Sequence, residues 1–120
     1  LDMKIGLGSD VAGGQTESIF RAITDAIGVS KMYLRYVDEY ASAVTFEEAF
    51  YMATKGGGEF FGNVGSFEEG YEFDALILDD SILAHPLNLS LRQRLERSIY
   101  LSLDLCGGIK EKYIQGNKII

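Results

Sequence analysis

The opening of this chain constrains its fold more than any other stretch. Met3 to Gly8 reads as a short apolar strand, and strand character does not return until Phe73–Asp79. Two helical stretches lie between. A nearly uncharged strand with apolar flanks takes neighbours on both sides, and this one has no partner close in sequence. The expectation is that its neighbours belong to further polypeptide, and that the chain is a piece of a longer protein cut on its N-terminal side. Leu1, not an initiator methionine, fits that expectation. At the other end Gly116-Asn117 reads as a two-residue turn between Lys112–Gln115 and Lys118–Ile120, a hairpin that fits a natural terminus.

The intervening elements carry their own start signals. A helix is expected from Thr16 or Ser18 to about Leu34, with Ile19, Ile23, Ala26 and Ile27 on one face and Gly28 as a weak point. Thr45 and Glu48 form a capping box, in which each side chain satisfies the other residue's free amide. Ala49, Phe50 and Ala53 then supply a packing face, and Gly56-Gly57-Gly58 stops or breaks that helix. After the strand at Phe73–Asp79 and a loop holding His85-Pro86, Ser90 and Gln93 form a second capping box. Its helix carries Leu91, Leu95 and Ile99 on one side, and Gly107-Gly108 ends the pattern. The order is β, α, α, β, α, β, β, an α/β chain without repeats.

At 120 residues there is room for one core. A net charge of −7 argues against nucleic acid as a partner, since phosphates would be repelled. No apolar run approaches the roughly 18 residues of a membrane span, so no membrane association is expected. The one cysteine excludes an internal disulfide and fits a reducing compartment, with the cytoplasm as the expected location.

Asp10 is the leading candidate for chemistry. It follows an apolar strand, between Gly8 and Gly13-Gly14, and a carboxylate just past a barrel strand lies where barrels carry their active sites. The competing reading is that Asp10 only forms a turn or caps the next helix. A dinucleotide loop fails, because Gly6-x-Gly8 is followed by Val11 where a third glycine is required. His85 and Cys106 sit at unrelated positions. A zinc site takes three or four protein ligands, so His85 is expected to be a loop histidine and Cys106 a buried or semi-buried thiol. Glu47-Glu48, Glu68-Glu69 and the run Arg92, Arg94, Arg97 read as solvated surface.

Together these stretches resemble a known family. Ile5 to Gly14 resembles the last barrel strand and loop of the zinc-dependent amidohydrolase superfamily. Within it the guanine deaminases come closest, with a G-L-G-T-D-V-A-G-G run in which Ser9 here replaces threonine. Ala49 to Gly62 resembles the family helix ending in A-T-x-G-G. Gly65 to Gly70 with Phe73 to Ile77 resembles its G-x-x-E-x-G-K-x-A-D strand, and Tyr113 to Asn117 its closing V-x-G-K hairpin. Leu95-x-x-x-Ile99-Tyr100-Leu101 adds to the likeness.

The resemblance implies the C-terminal part of a (β/α)8 barrel plus strands of a small composite β-sandwich. Residues 1–62 would hold the last strand, metal-ligand loop and following helices, and residues 63–120 the C-terminal strands and helix. It implies that Asp10 is both metal ligand and catalytic residue. Zinc would lower the pKa of water to roughly 7, and the resulting hydroxide would attack guanine to give xanthine and ammonia. The family's H-x-H pair and two further histidines belong to earlier strands, so the 120 residues alone are expected to be inactive. Other amino-substituted rings, as in chlorohydrolases or nucleoside deaminases, and a non-catalytic assembly module remain alternatives. Cutting the barrel would uncover Met3–Gly8 and the faces bearing Ile19 and Phe50, so a homo-oligomer or association with the rest of the parent chain is expected.

Overall fold

Ser18 fixes where the first helix starts. Its Oγ accepts from the Arg21 amide at 3.1 Å and donates to Asp104 Oδ2 at 2.5 Å, which ties this helix end to the chain beyond the last helix. The structure, a computed structural model, describes residues 3–120; the first two residues of the expected 1–62 unit lie outside them. The helices are α1 (Ile19–Tyr36), α2 (Phe46–Ala53), α3 (Lys55–Gly58) and α4 (Leu91–Tyr100). The strands are β1 (Ala75–Leu78), β2 (Ile109–Ile114) and β3 (Asn117–Lys118), with a 3-10 turn at Ser81–Leu83.

Helices α1, α2 and α4 form one packed layer. Ile23 and Ile27 of α1, Phe46 and Ala49 of α2 and Ile99 of α4 make its buried core, with Leu7, Ile19, Phe50 and Leu95 packed around them. The i, i+4 spacing of Ile19, Ile23 and Ile27 sets all three on one stripe of α1. Both expected capping boxes form: Thr45 with Glu48, and Ser90 with Gln93. Ser30 braces the α1–α2 connection, donating to the Ile27 carbonyl at 2.8 Å and accepting from the Val44 amide at 2.9 Å.

The second part is an antiparallel sheet in the order β1-β2-β3, with Ala75 opposite Tyr113, Ile77 opposite Glu111 and an irregularity after Ile77. Leu76 and Ile77 project to opposite faces, yet both are exposed, at 45% and 47%. Neither face of the sheet is covered.

Three expectations are corrected and a fourth is refined. Met3–Gly8 forms no strand among the described residues, because no strand of the chain lies beside it. The helix breaks at Thr54, ahead of Gly56-Gly57-Gly58, and the glycines lie in the short α3, which ends at Gly58. The hairpin turn is Gln115-Gly116, one residue earlier than expected, with φ of 48° and 75°; positive φ at both central residues is what a two-residue hairpin turn of this hand demands. Ile19 and Phe50 lie against the core rather than in solvent. Exposed apolar surface includes the outer stripe of α1, where Val29, Met32 and Tyr36 are 63%, 61% and 77% exposed, and Met3 and Ile5 at 69% and 51%.

Candidate functional site

Residues 4–8 are laid along α2 and α3 by three contacts. The Leu7 amide donates to the Met52 carbonyl at 3.0 Å, and the Leu7 side chain joins the core. Gly6 meets Gly57 backbone to backbone, since a Cβ on Gly6 would lie 2.9 Å from the Gly57 Cα. Lys4 pairs with Glu59 at 2.9 Å, and the Tyr51 hydroxyl donates to the same carboxylate at 3.0 Å. The Lys4 bond, followed by that of Tyr51, holds the Glu59 carboxyl below its usual range, and Glu59 in turn raises the Lys4 ammonium. Gly57 is where the segment leading to Asp10 meets α3; Gly56 and Gly58 are crowded instead by Tyr51 and Val64, where a Cβ would come within 2.7 and 2.3 Å.

Beyond Gly8 the chain turns sharply. Asp10 and Ala12 both have positive φ, 47° and 82°, and Val11 bridges Gly14. The amides of Gly13 and Gly14 converge on the Asp10 carbonyl, the Gly13 bond measuring 2.9 Å. Aspartate tolerates the left-handed region better than most residues, so the turn reading of Asp10 is satisfied by its backbone. Its side chain does something else. The carboxylate lies over Gly13, where a Cβ would come within 2.7 Å of Oδ2, and the residue is exposed. Among the described residues it pairs with no cation and caps no helix, since the cap of α1 is Ser18. The loop therefore presents an accessible oxygen donor in a space that any side chain at position 13 would fill.

The other candidates stand apart from it. His85 is an exposed loop residue whose Nδ1 accepts from the Leu87 amide at 3.1 Å. Cys106 is exposed, not the buried or semi-buried thiol expected, because it falls in the turn after α4 rather than on the packed side of a helix. Among the described residues no three His, Cys, Asp or Glu side chains gather as a metal centre would require. The donor set thus fits one position of a zinc site, through Asp10, and not a whole one. Glu47 and Glu68 engage cations, Arg92 and Lys55 respectively.

The amidohydrolase family model matches residues 2–106. Guanine deaminase of Dictyostelium discoideum is 36% identical over 98% of this chain, and human guanine deaminase 34% identical over 99%. The chain spans 27% and 28% of those two proteins. Among solved structures, guanine deaminase from C. acetobutylicum with guanine bound in its active site superposes with a TM-score of 0.88. It is 49% identical over 96% of this chain, which spans 27% of that one. Guanine deaminase of E. coli gives a TM-score of 0.77 at 25% identity, with 98% of this chain and 27% of that chain covered. Among the described residues no helix is long and apolar enough to cross a membrane.

Proposed function

The chain belongs to the amidohydrolase family, and on that premise we propose that it supplies the last strand of a (β/α)8 barrel, with Asp10 at that strand's C-terminal end, to a zinc-dependent guanine deaminase. Residues 1–62 are the strand, ligand loop and covering helices, and residues 63–120 add strands to a small sandwich and a helix to the barrel exterior. The unpaired segment Met3–Gly8 and the uncovered sheet faces are what such a share of a larger fold leaves behind. The observation that carries the substrate is the 49% identity and 0.88 TM-score to a protein with guanine in its active site.

The reaction is hydrolysis: guanine and water give xanthine and ammonia. Zinc, when bound, makes water acidic enough to act as a nucleophile near neutral pH. Among the described residues Asp10 is the one we assign to act there. Its carboxylate accepts a proton from the attacking water as the bond forms to the ring carbon bearing the amino group. It returns the proton to the amino nitrogen as the C–N bond breaks and ammonia leaves, while the proton left on the added oxygen passes to the adjacent ring nitrogen to give xanthine. Gly13 keeps the space beside Oδ2 open, and the Gly6–Gly57 contact sets the height of the loop over α3. The remaining ligands and the groups that recognise the purine come from polypeptide outside these 120 residues, so assembly with that polypeptide, in the cytoplasm, is part of the reading.

A chimera tests the assignment. These 120 residues replace the matching 27% of the C. acetobutylicum guanine deaminase, and purified protein is assayed with guanine, adenine and a chlorinated triazine. Guanine turnover by the folded, zinc-loaded chimera supports the reading. A folded chimera that fails to hold zinc or leaves guanine unchanged contradicts it.

A further inference from the structure

We propose that the cleft between the Ser81–Leu83 turn, the loop after it and α4 is a binding site for a small oxyanion, a phosphate or carboxylate group on a metabolite-sized molecule. The cleft measures about 340 Å³, at the lower end of the range for small-molecule sites.

Two guanidiniums enter it from α4, Arg94 and, one turn on, Arg97. Arg94 is compensated: its Nε and Nη2 donate to the two oxygens of Asp80 at 2.8 and 2.7 Å. Arg97 is not. Its Nη1 lies against the Leu83 carbonyl, and it meets no carboxylate among the described residues. A guanidinium engaged at one nitrogen keeps further N–H groups for a fork-like grip on an oxyanion.

The opposite wall adds neutral donors. His85 Nδ1 accepts from the Leu87 amide at 3.1 Å, which leaves Nε2 as the ring's N–H donor. Asn88 contributes an amide to the same lining. With two arginines against one aspartate the cleft is locally positive, in a chain whose net charge is −7. The third arginine of the run behaves differently: Arg92 is spent on Glu47 and Glu96.

The test is a titration of the ¹⁵N-labelled 120-residue chain, followed by NMR, with sodium phosphate, sodium acetate and sodium chloride at matched ionic strength. Saturable shifts confined to the amides of 81–89 and the Arg97 guanidinium are expected with an oxyanion and not with chloride. Tighter acetate points to a carboxylate ligand and tighter phosphate to a phosphoryl one; either supports the site. Arg97→Gln is expected to weaken binding more than about tenfold, the scale of a hydrogen bond to a charged group. Should that variant fail to fold for want of its bond to Leu83, His85→Ala, at an exposed position, is expected to weaken binding about threefold or more. Shifts that match chloride, fail to saturate, or persist unchanged in the folded variants overturn the proposal.

Discussion

A methyl group on Gly6 would lie 2.9 Å from the Cα of Gly57, so the segment leading to Asp10 and helix α3 touch through bare backbone. Neither partner is a flexible side chain, so the contact cannot be relieved locally. Gly6→Ala is expected to destabilise the chain by about 1–3 kcal/mol, the usual cost of overpacking. Gly28→Ala is the control: nothing lies within 4 Å of its would-be Cβ, and it sits inside α1. That variant is expected to be more stable by about 0.5–1 kcal/mol. Urea denaturation of both variants checks the pair.

Ser18 works harder than the other two helix caps. Thr45→Ala and Ser90→Ala each remove a capping box, at a cost of about 1 kcal/mol. Ser18→Ala also strips Asp104 of its hydroxyl donor, leaving a carboxylate whose Oδ1 is already buried without a partner. Its loss is expected to exceed that of either cap variant by about 1 kcal/mol or more. Thermal melting of the three variants side by side measures the difference.

The Lys4–Glu59–Tyr51 anchor depends on pH in a defined direction. Glu59 is depressed by its bond to Lys4 and then by Tyr51, so its contribution is present above its unfolded pKa and fades as pH falls through the lower folded value. Lys4 is raised, mainly by the Glu59 hydrogen bond, so its share is lost only as pH climbs through the raised lysine value. Glu59→Gln is therefore expected to lower the urea midpoint at neutral pH and to converge with the unmodified chain in acid. A difference that stays constant through the acid range would show that the pair contributes nothing.

One exposed carboxylate does not make a zinc site. The isolated 120 residues are expected to emerge from dialysis against a weak chelator without stoichiometric zinc, and to leave guanine unchanged. Elemental analysis after gel filtration, with a guanine assay on the same sample, checks both.

Local chemistry was the most legible part of this fold. Thr45/Glu48 and Ser90/Gln93 announce their helices because a capping box is satisfied within four residues, and Ile19, Ile23 and Ile27 declare a packed face by spacing alone. Features that depend on distant chain were not legible. Met3–Gly8 has strand composition, but strand pairing needs a neighbour. Gly56-Gly57-Gly58 looks like a helix breaker until Tyr51, Met52 and Val64 are seen to leave no room for a side chain at the three positions. The register of the hairpin rested on Gln115 accepting a positive φ, which its residue type does not advertise. For Asp10 the turn and the chemical readings were both written in the sequence; in the structure its backbone makes the turn and its side chain is exposed.

Asp10 is most directly tested by Asp10→Asn in the chimera with the C. acetobutylicum enzyme, comparing guanine turnover, zinc content and melting temperature with the unmodified chimera. Asparagine keeps the shape and the tolerance for a left-handed backbone but cannot take a proton from water. The expected result is a fall in kcat of about 10²–10⁴-fold, with the fold intact. Near-normal turnover in the asparagine variant would leave Asp10 as a turn former and contradict its role at the metal.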